Sequence, residues 1–229
     1  MARQEPLQSL DSISFEVDGA TATTSVRVYP AQAPRATLIL AHGAGAPQTH
    51  PWMIAMARAI AARGVEVVTF NFLYKEQKRG APDKKALLEA TWLAAIAAVR
   101  ARLGDSVKRP LLIGGKSMGG RIATQVAVDP SLRLRAVVLL GYPLHPPGKP
   151  EQLRTAHLPS VAASMLFFQG TRDPFGSPDE LRPHLKGTCK GTRLIEIEGG
   201  DHSLATTKKS GVTLEQTMAR VAGEIAQLE

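Results

Sequence analysis

The sequence predicts an α/β protein with a doubly wound, mostly parallel sheet and helices on both faces. Three observations carry this expectation. Short continuous apolar runs of strand length recur along the chain, as parallel strands covered on both faces require. Amphipathic stretches with helical spacing alternate with them, which implies right-handed crossovers. The 229 residues suffice for one such domain, and 44% hydrophobic against 21% charged residues is the balance of a packed core with a solvated surface.

Residues 13–17 and 23–29 alternate apolar and polar side chains around Asp18-Gly19, the pattern of an antiparallel hairpin at the start of the sheet. Strands are then expected over 37–41, 65–70, 111–114, 136–140, 164–169 and 193–198. Between them, helical spacing covers the Ala-rich stretch 53–63, the long stretch 84–102, then 119–128, a short 178–185 and a closing 214–228. The Pro-rich segment from Tyr142 to Pro150 is too short to join two domains. It reads as a loop at the C-terminal edge of the sheet, where open α/β folds bind ligands. With no repeat or linker, a single domain is expected over residues 10–229, preceded by a poorly ordered N-terminus at residues 1–9.

Composition narrows the function classes. The lone cysteine, Cys189, excludes an internal disulfide and fits a reducing compartment. The segment Met1-Ala-Arg-Gln-Glu-Pro6 has no apolar h-region, and no apolar stretch reaches the roughly 20 residues of a membrane span. The expectation is a cytoplasmic chain with no membrane partner. A net charge of +8 and a pI of about 9.9 invite a nucleic-acid reading. The basic residues are scattered, however, and none of the few aromatics (6 Phe, 3 Tyr, 2 Trp) interleaves with them as a stacking platform would. No specific nucleic-acid partner is expected; a basic surface favouring anionic small molecules is. The sequence specifies neither a protein partner nor a homodimer.

Residues 111–121, LLIGGKSMGGR, set Ser117 inside Gly115-Lys116-Ser117-Met118-Gly119. An apolar run leads in as a strand, and helical spacing leads out. A serine on such a sharp strand-to-helix turn presents its hydroxyl to a cleft, with glycines where side chains would clash. A phosphate-binding P-loop reading fails because position 110 is Pro110, and a dinucleotide fingerprint fails because Pro47 and Gln48 interrupt Gly43-Ala44-Gly45.

A serine hydroxyl needs a base, and the base needs an orienter. The strand at 164–169 runs into a turn carrying Asp173, and the strand at 193–198 runs into a Gly-Gly turn carrying His202. All three residues therefore project from the same sheet edge, in the order Ser, Asp, His. Asp201, next to His202, and Asp179, at a helix start, remain alternative acids. A tetrahedral intermediate needs backbone donors. Met118 N–H is one candidate; the other lies in the small-residue loop Ala41-His-Gly-Ala-Gly-Ala46, where Ala44 is the choice. Asn71, Tyr74, Tyr142 and His145 follow strand ends and are candidates for the cleft wall. The six histidines show no metal-ligand spacing, so neither metal nor cofactor is expected.

The segments HGAGA, FNFLYKEQKRGAPD, GGKSMGGR, GYPLHPPGKPEQLR, QGTRDPFG and GGDHSL together resemble the α/β-hydrolase superfamily over roughly residues 10–228. The resemblance is nearest to its small dienelactone-hydrolase-like branch, which includes relatives of mammalian testis-expressed and chromatin-complex hydrolase-like proteins. It implies a minimal fold without a large cap, since residues 141–163 are too few to build one. It also implies a cofactor-independent serine hydrolase acting on a small ester or other acyl substrate. Dienelactone hydrolases carry cysteine where this chain has Ser117, which argues against that substrate. The alternative the resemblance raises is a weakly active or inactive protein-interaction subunit on a hydrolase scaffold.

Overall fold

The computed structural model describes residues 12–17, 20–103 and 109–228. Its strands are β1 Ser12–Val17, β2 Ala20–Tyr29, β3 Ala36–Ala41, β4 Val65–Phe70, β5 Leu111–Lys116, β6 Ala136–Leu140, β7 Ser164–Gly170 and β8 Arg193–Ile197. They form one eight-stranded sheet in the order β1-β2-β4-β3-β5-β6-β7-β8. Antiparallel pairing is confined to β1 with β2 and β2 with β4; the ladders from β4 through β8 are parallel. The Asp18-Gly19 turn of the expected hairpin, and the expected N-terminal segment 1–9, lie outside the described residues.

Helices α1 Pro51–Ala61, α2 Leu73–Glu76, α3 Lys85–Leu103, α4 Met118–Val126 and α5 Pro178–Leu181 lie in the crossovers, and α6 Leu214–Ile225 follows β8. Strand alternation sends successive side chains to opposite faces, so the buried strands feed two cores. Leu38, Leu40, Val65, Val67, Val138 and Phe168 pack under α1 and α6. Ile39, Val68, Phe70, Ile113, Val137 and Phe167 pack under α3 and α4. Burial on both faces is the reason these strands read as unbroken apolar runs.

Element ends follow local chemistry. Helix α1 begins two residues earlier than its spacing suggests, because Pro51 needs no N–H partner in the first turn and the His50 side chain accepts from Trp52 N–H. The helix expected over 178–185 stops at Leu181 and continues as a 3₁₀ turn, Arg182–Leu185. Pro183 lacks the N–H that another α turn would use. Helix α6 starts at a capping box between Thr213 and Gln216. The short α2 is not among the helices that the spacing predicts.

A buried ion cluster fixes α3 to the sheet. The Glu66 carboxylate on β4 is fully buried and accepts two bonds from the Arg102 guanidinium, at 2.9 and 3.2 Å. Arg109 stands 3.9 Å from the same carboxylate. Removing one partner leaves a charge with too little compensation. We predict that Arg102→Met destabilises the fold by about 3 kcal/mol, whereas replacing both members by apolar residues restores most of the loss. Urea unfolding of the single and double variants measures both, and equal stability of Arg102→Met and the parent would contradict the assignment.

Candidate active site

The cleft lies at the C-terminal ends of β3, β5, β7 and β8. Ser117 is the single residue between β5 and α4, and its backbone sits at φ 51°, ψ −119°. Non-glycine residues avoid this region, at a cost on the order of 1–3 kcal/mol. The turn is held by close backbone approach on either side. A Cβ on Gly115 would stand 2.6 Å from the Ala41 carbonyl oxygen, and one on Gly119 would stand 2.5 Å from that of His42. The Ser117 N–H donates to Leu140 on the neighbouring strand at 3.0 Å.

Two turns meet this hydroxyl. His202 Nε2 is 2.8 Å from Ser117 Oγ, and His202 Nδ1 is 2.8 Å from Asp173 Oδ2. Facing a carboxylate, Nδ1 carries the ring proton and donates it, which leaves the Nε2 lone pair for the serine O–H. Asp173 is buried, and both its oxygens have further donors: Phe175 N–H on Oδ1 at 2.8 Å and Gln169 Nε2 on Oδ2 at 2.9 Å. The Phe175 ring stacks on the imidazole, with centroids 4.1 Å apart.

The other acids stand elsewhere. Asp201 turns into its own loop, where Oδ1 accepts from Ser203 N–H at 2.7 Å and Ala205 N–H at 3.0 Å. It shapes the turn that presents His202. Asp179 sits in the first turn of α5. Trp52 on α1 donates to the Ser203 carbonyl at 2.9 Å and braces the same turn.

The loop after β3 is set by His42. Its Nε2 accepts from Phe72 N–H at 3.0 Å, so Nδ1 carries the proton and donates to the Gly43 carbonyl at 2.7 Å. Burial holds its pKa down to about 4; the bond to Gly43 opposes this and the nearby Lys75 charge adds to it. Tyr74 O–H donates to the Ala44 carbonyl at 2.9 Å. The peptide is planar and trans, so the Ala44 N–H points away from the pinned Gly43 oxygen. Among the described residues, neither Ala44 N–H nor Met118 N–H donates to a protein acceptor.

Ser117, His202, Ala44 and Met118 all line one cleft of about 590 Å³. The four residues expected on its wall do not reach it. Asn71 accepts from Gln48 N–H and donates to Glu76, tying α2 to β2 and the β3 loop. Tyr74 lies beneath that loop. Tyr142 is buried with its O–H on the Arg154 carbonyl at 2.6 Å, and His145 donates to the Pro146 carbonyl at 2.8 Å. Rings that follow a strand end gain more from packing into the core, with one polar atom satisfied, than from facing water. Pro143, Phe175, Lys116, Arg121 and Arg154 are on the wall instead. Residues 141–163 form an extended loop with one 3₁₀ turn, Leu158–Ser160, and no cap.

Sequence reasoning missed two positioning residues with readable signals. Gln169 is a lone polar residue ending an apolar strand, and it is fully buried between Tyr142 and Asp173. His42 heads the small-residue loop directly after β3. Among the described residues no three His, Cys, Asp or Glu side chains gather as metal ligands, and no helix is long and apolar enough to cross a membrane.

Comparison with known proteins agrees with this architecture. An α/β serine hydrolase without lid from Xanthomonas campestris superposes with a TM-score of 0.68, at 19% identity, over 98% of this chain and 96% of that one. Est1E from Butyrivibrio proteoclasticus gives 0.71 at 14% identity, covering 95% and 98%. A dienelactone hydrolase from Anabaena variabilis gives 0.70 at 19% identity, covering 95% and 94%. At these identities the likeness is one of fold. Among curated sequences, proteins from two strains of Mycobacterium tuberculosis, named for phosphoribosyl transfer, are 29% identical over 171 residues. That stretch is 74% of this chain but 37% of theirs, so the chain spans little more than a third of the relatives it matches. The pattern of the α/β hydrolase domain family matches residues 34–228, from before β3 through α6, and the chain belongs to that family.

Proposed function

We propose that the protein is a serine hydrolase that cleaves a carboxylic ester or related acyl bond of a small molecule through an acyl-enzyme. The observation that carries this reading is the unbroken chain from Ser117 Oγ through His202 to Asp173, with both links at 2.8 Å. His202 Nε2 takes the serine proton as Oγ attacks the acyl carbon. The oxyanion that forms accepts from the Ala44 and Met118 N–H groups, which are otherwise unused. Collapse of the intermediate expels the alcohol, which leaves with the proton held on His202. Water then attacks the acyl-enzyme, giving its proton to His202, and the acid departs as Oγ is reprotonated. Asp173 holds the imidazole in the required tautomer and stabilises its cation.

A pure interaction scaffold has no use for a strained serine, a paired histidine and a buried carboxylate in register, so the hydrolase reading is preferred. The transferase name of the mycobacterial relatives attaches to proteins of which the matched part is 37%, and it is not carried over. A reducing, cytoplasmic setting fits the lone Cys189 thiol.

Ser117→Ala is expected to lower kcat/KM on 4-nitrophenyl butyrate by on the order of 10³-fold or more. Asp173→Asn is expected to lower it by orders of magnitude through the wrong tautomer, and Asp201→Asn far less. Steady-state kinetics on folded variants decide. Unchanged turnover by Ser117→Ala, or a larger loss in Asp201→Asn than in Asp173→Asn, would overturn the assignment.

The His42 geometry adds a pH prediction. Its ordinary value is 6.5 and its folded value about 4. The unfolded chain therefore binds this proton first, so stability is full above about 6.5 and falls as pH drops towards about 4. The loss from this group is on the order of 2–3 kcal/mol. Urea unfolding between pH 7 and pH 4 should give a steeper decline for the parent than for His42→Gln. Parallel profiles would contradict it.

A further inference from the structure

The cleft wall beside Ser117 carries an arginine pair that the serine relay does not use. Arg121 lies one turn along α4 from the serine, its N–H donating to the Ser117 carbonyl at 3.0 Å. Arg154 comes from the loop after β6, anchored by its N–H on the Leu144 carbonyl at 2.9 Å. Both residues line the cleft that holds Ser117 and His202.

Neither guanidinium forms a salt bridge among the described residues, although Glu89 acts on Arg121 from farther away. Among the described residues no carboxylate lies within 4.0 Å of either. Arg154 donates to the Pro143 carbonyl at 3.3 Å, and the Arg121 side chain makes no hydrogen bond among the described residues. The nearby acids are committed. Glu89 pairs with Lys85 at 3.4 Å. Asp83, on the same cleft, is buried against Tyr74 N–H at 2.9 Å and paired with Arg79. The Tyr142 O–H between the arginines already donates to the Arg154 carbonyl. Lys116, half-buried against the Trp52 ring, adds a third cation that forms no salt bridge among the described residues, with Asp173 and Asp201 acting on it from farther away.

Crowding of like charge in a half-buried cleft is unfavourable, and the arginines register it. Burial lowers the Arg121 pKa and the Arg154 charge lowers it further, with Tyr142 and Glu89 opposing the shift only in part. A planar guanidinium fork is the group best matched to a carboxylate or phosphate. An anion bound here satisfies donors that the protein leaves empty. We infer that Arg121 and Arg154 form an anion subsite, and that the substrate is an ester bearing a carboxylate or phosphate a few bonds from the acyl carbon.

This inference rests on the serine-hydrolase reading, and the experiment separates the two. Turnover of mono-4-nitrophenyl glutarate is compared with that of neutral 4-nitrophenyl butyrate, which tests an anion on the acyl side. Turnover of 4-acetoxybenzoate is compared with that of 4-tolyl acetate, which tests the alcohol side. Inorganic phosphate is added as a competitor. In at least one pair the anionic ester should have the higher kcat/KM, by about tenfold or more, since charge-assisted bonds contribute about 1.5–3 kcal/mol. The advantage should lie in KM and shrink with added salt. Arg121→Gln and Arg154→Gln should each cut the anionic-to-neutral ratio several-fold, and Arg121→Lys should restore part of it. The ratio is independent of the fraction of folded enzyme. A parent ratio near one in both pairs, or ratios that survive both substitutions, overturns the subsite while leaving the hydrolase reading intact. If no ester is turned over, calorimetric titration of Ser117→Ala with monomethyl and dimethyl glutarate still decides. Tighter binding of the anion, lost in an added Arg121→Gln, supports the subsite; equal binding overturns it.

Discussion

Ser117 keeps its unfavourable backbone, φ 51° and ψ −119°, because the chain on either side of it has no room to relax. The β3 loop, the end of β5 and the first turn of α4 meet through backbone atoms at Gly115 and Gly119, where even a methyl group would collide. That approach does two jobs. It turns the serine hydroxyl out of the sheet, and it brings the residue 42–46 loop to the same point as the first free N–H of α4. The local strain, on the order of 1–3 kcal/mol, is offset by two apolar layers that bury the strands on both faces.

Around that constraint, each polar group is oriented by another. Gln169 and Phe175 N–H hold Asp173; Asp173 holds His202; Asp201 and Trp52 hold the turn that carries His202. His42 and Tyr74 pin the carbonyls of the facing loop. Every one of these residues lies at or near the C-terminal end of a strand or in the helix beside it. The parallel sheet thus works as a rigid comb that delivers separate loops to one rim. The arginines belong to a different part of that rim. They reach the cleft from α4 and the β6 loop, on the same wall as Lys85, Lys116 and Asp83.

Much of this was legible in the residues. Parallel strands covered by helices on both faces must be apolar on both faces, so their runs, and the two-fold winding, stand out. The loops carrying Ser117, Asp173 and His202 were readable because each follows such a run, and the structure brings those three side chains together at 2.8 Å. The wall was not readable. Tyr74 and Tyr142 have the same local context as true lining residues, and only the tertiary packing turns them inward. Arg121 and Arg154 read as ordinary charged surface, because pairing between a helix and a loop 33 residues apart leaves no local pattern. The α2 turn and the break at Pro183 depend on hydrogen bonds that periodicity does not register.

The proposed hydrolysis depends on Ser117 Oγ being a nucleophile activated by His202. Reaction of the intact protein with a fluorophosphonate, followed by mass spectrometry of its peptides, tests this without any knowledge of the natural substrate. A single phosphonyl adduct on the peptide containing Ser117, absent when His202 is replaced by Ala, is the predicted result. No adduct on folded protein, or an adduct on another residue, would contradict it.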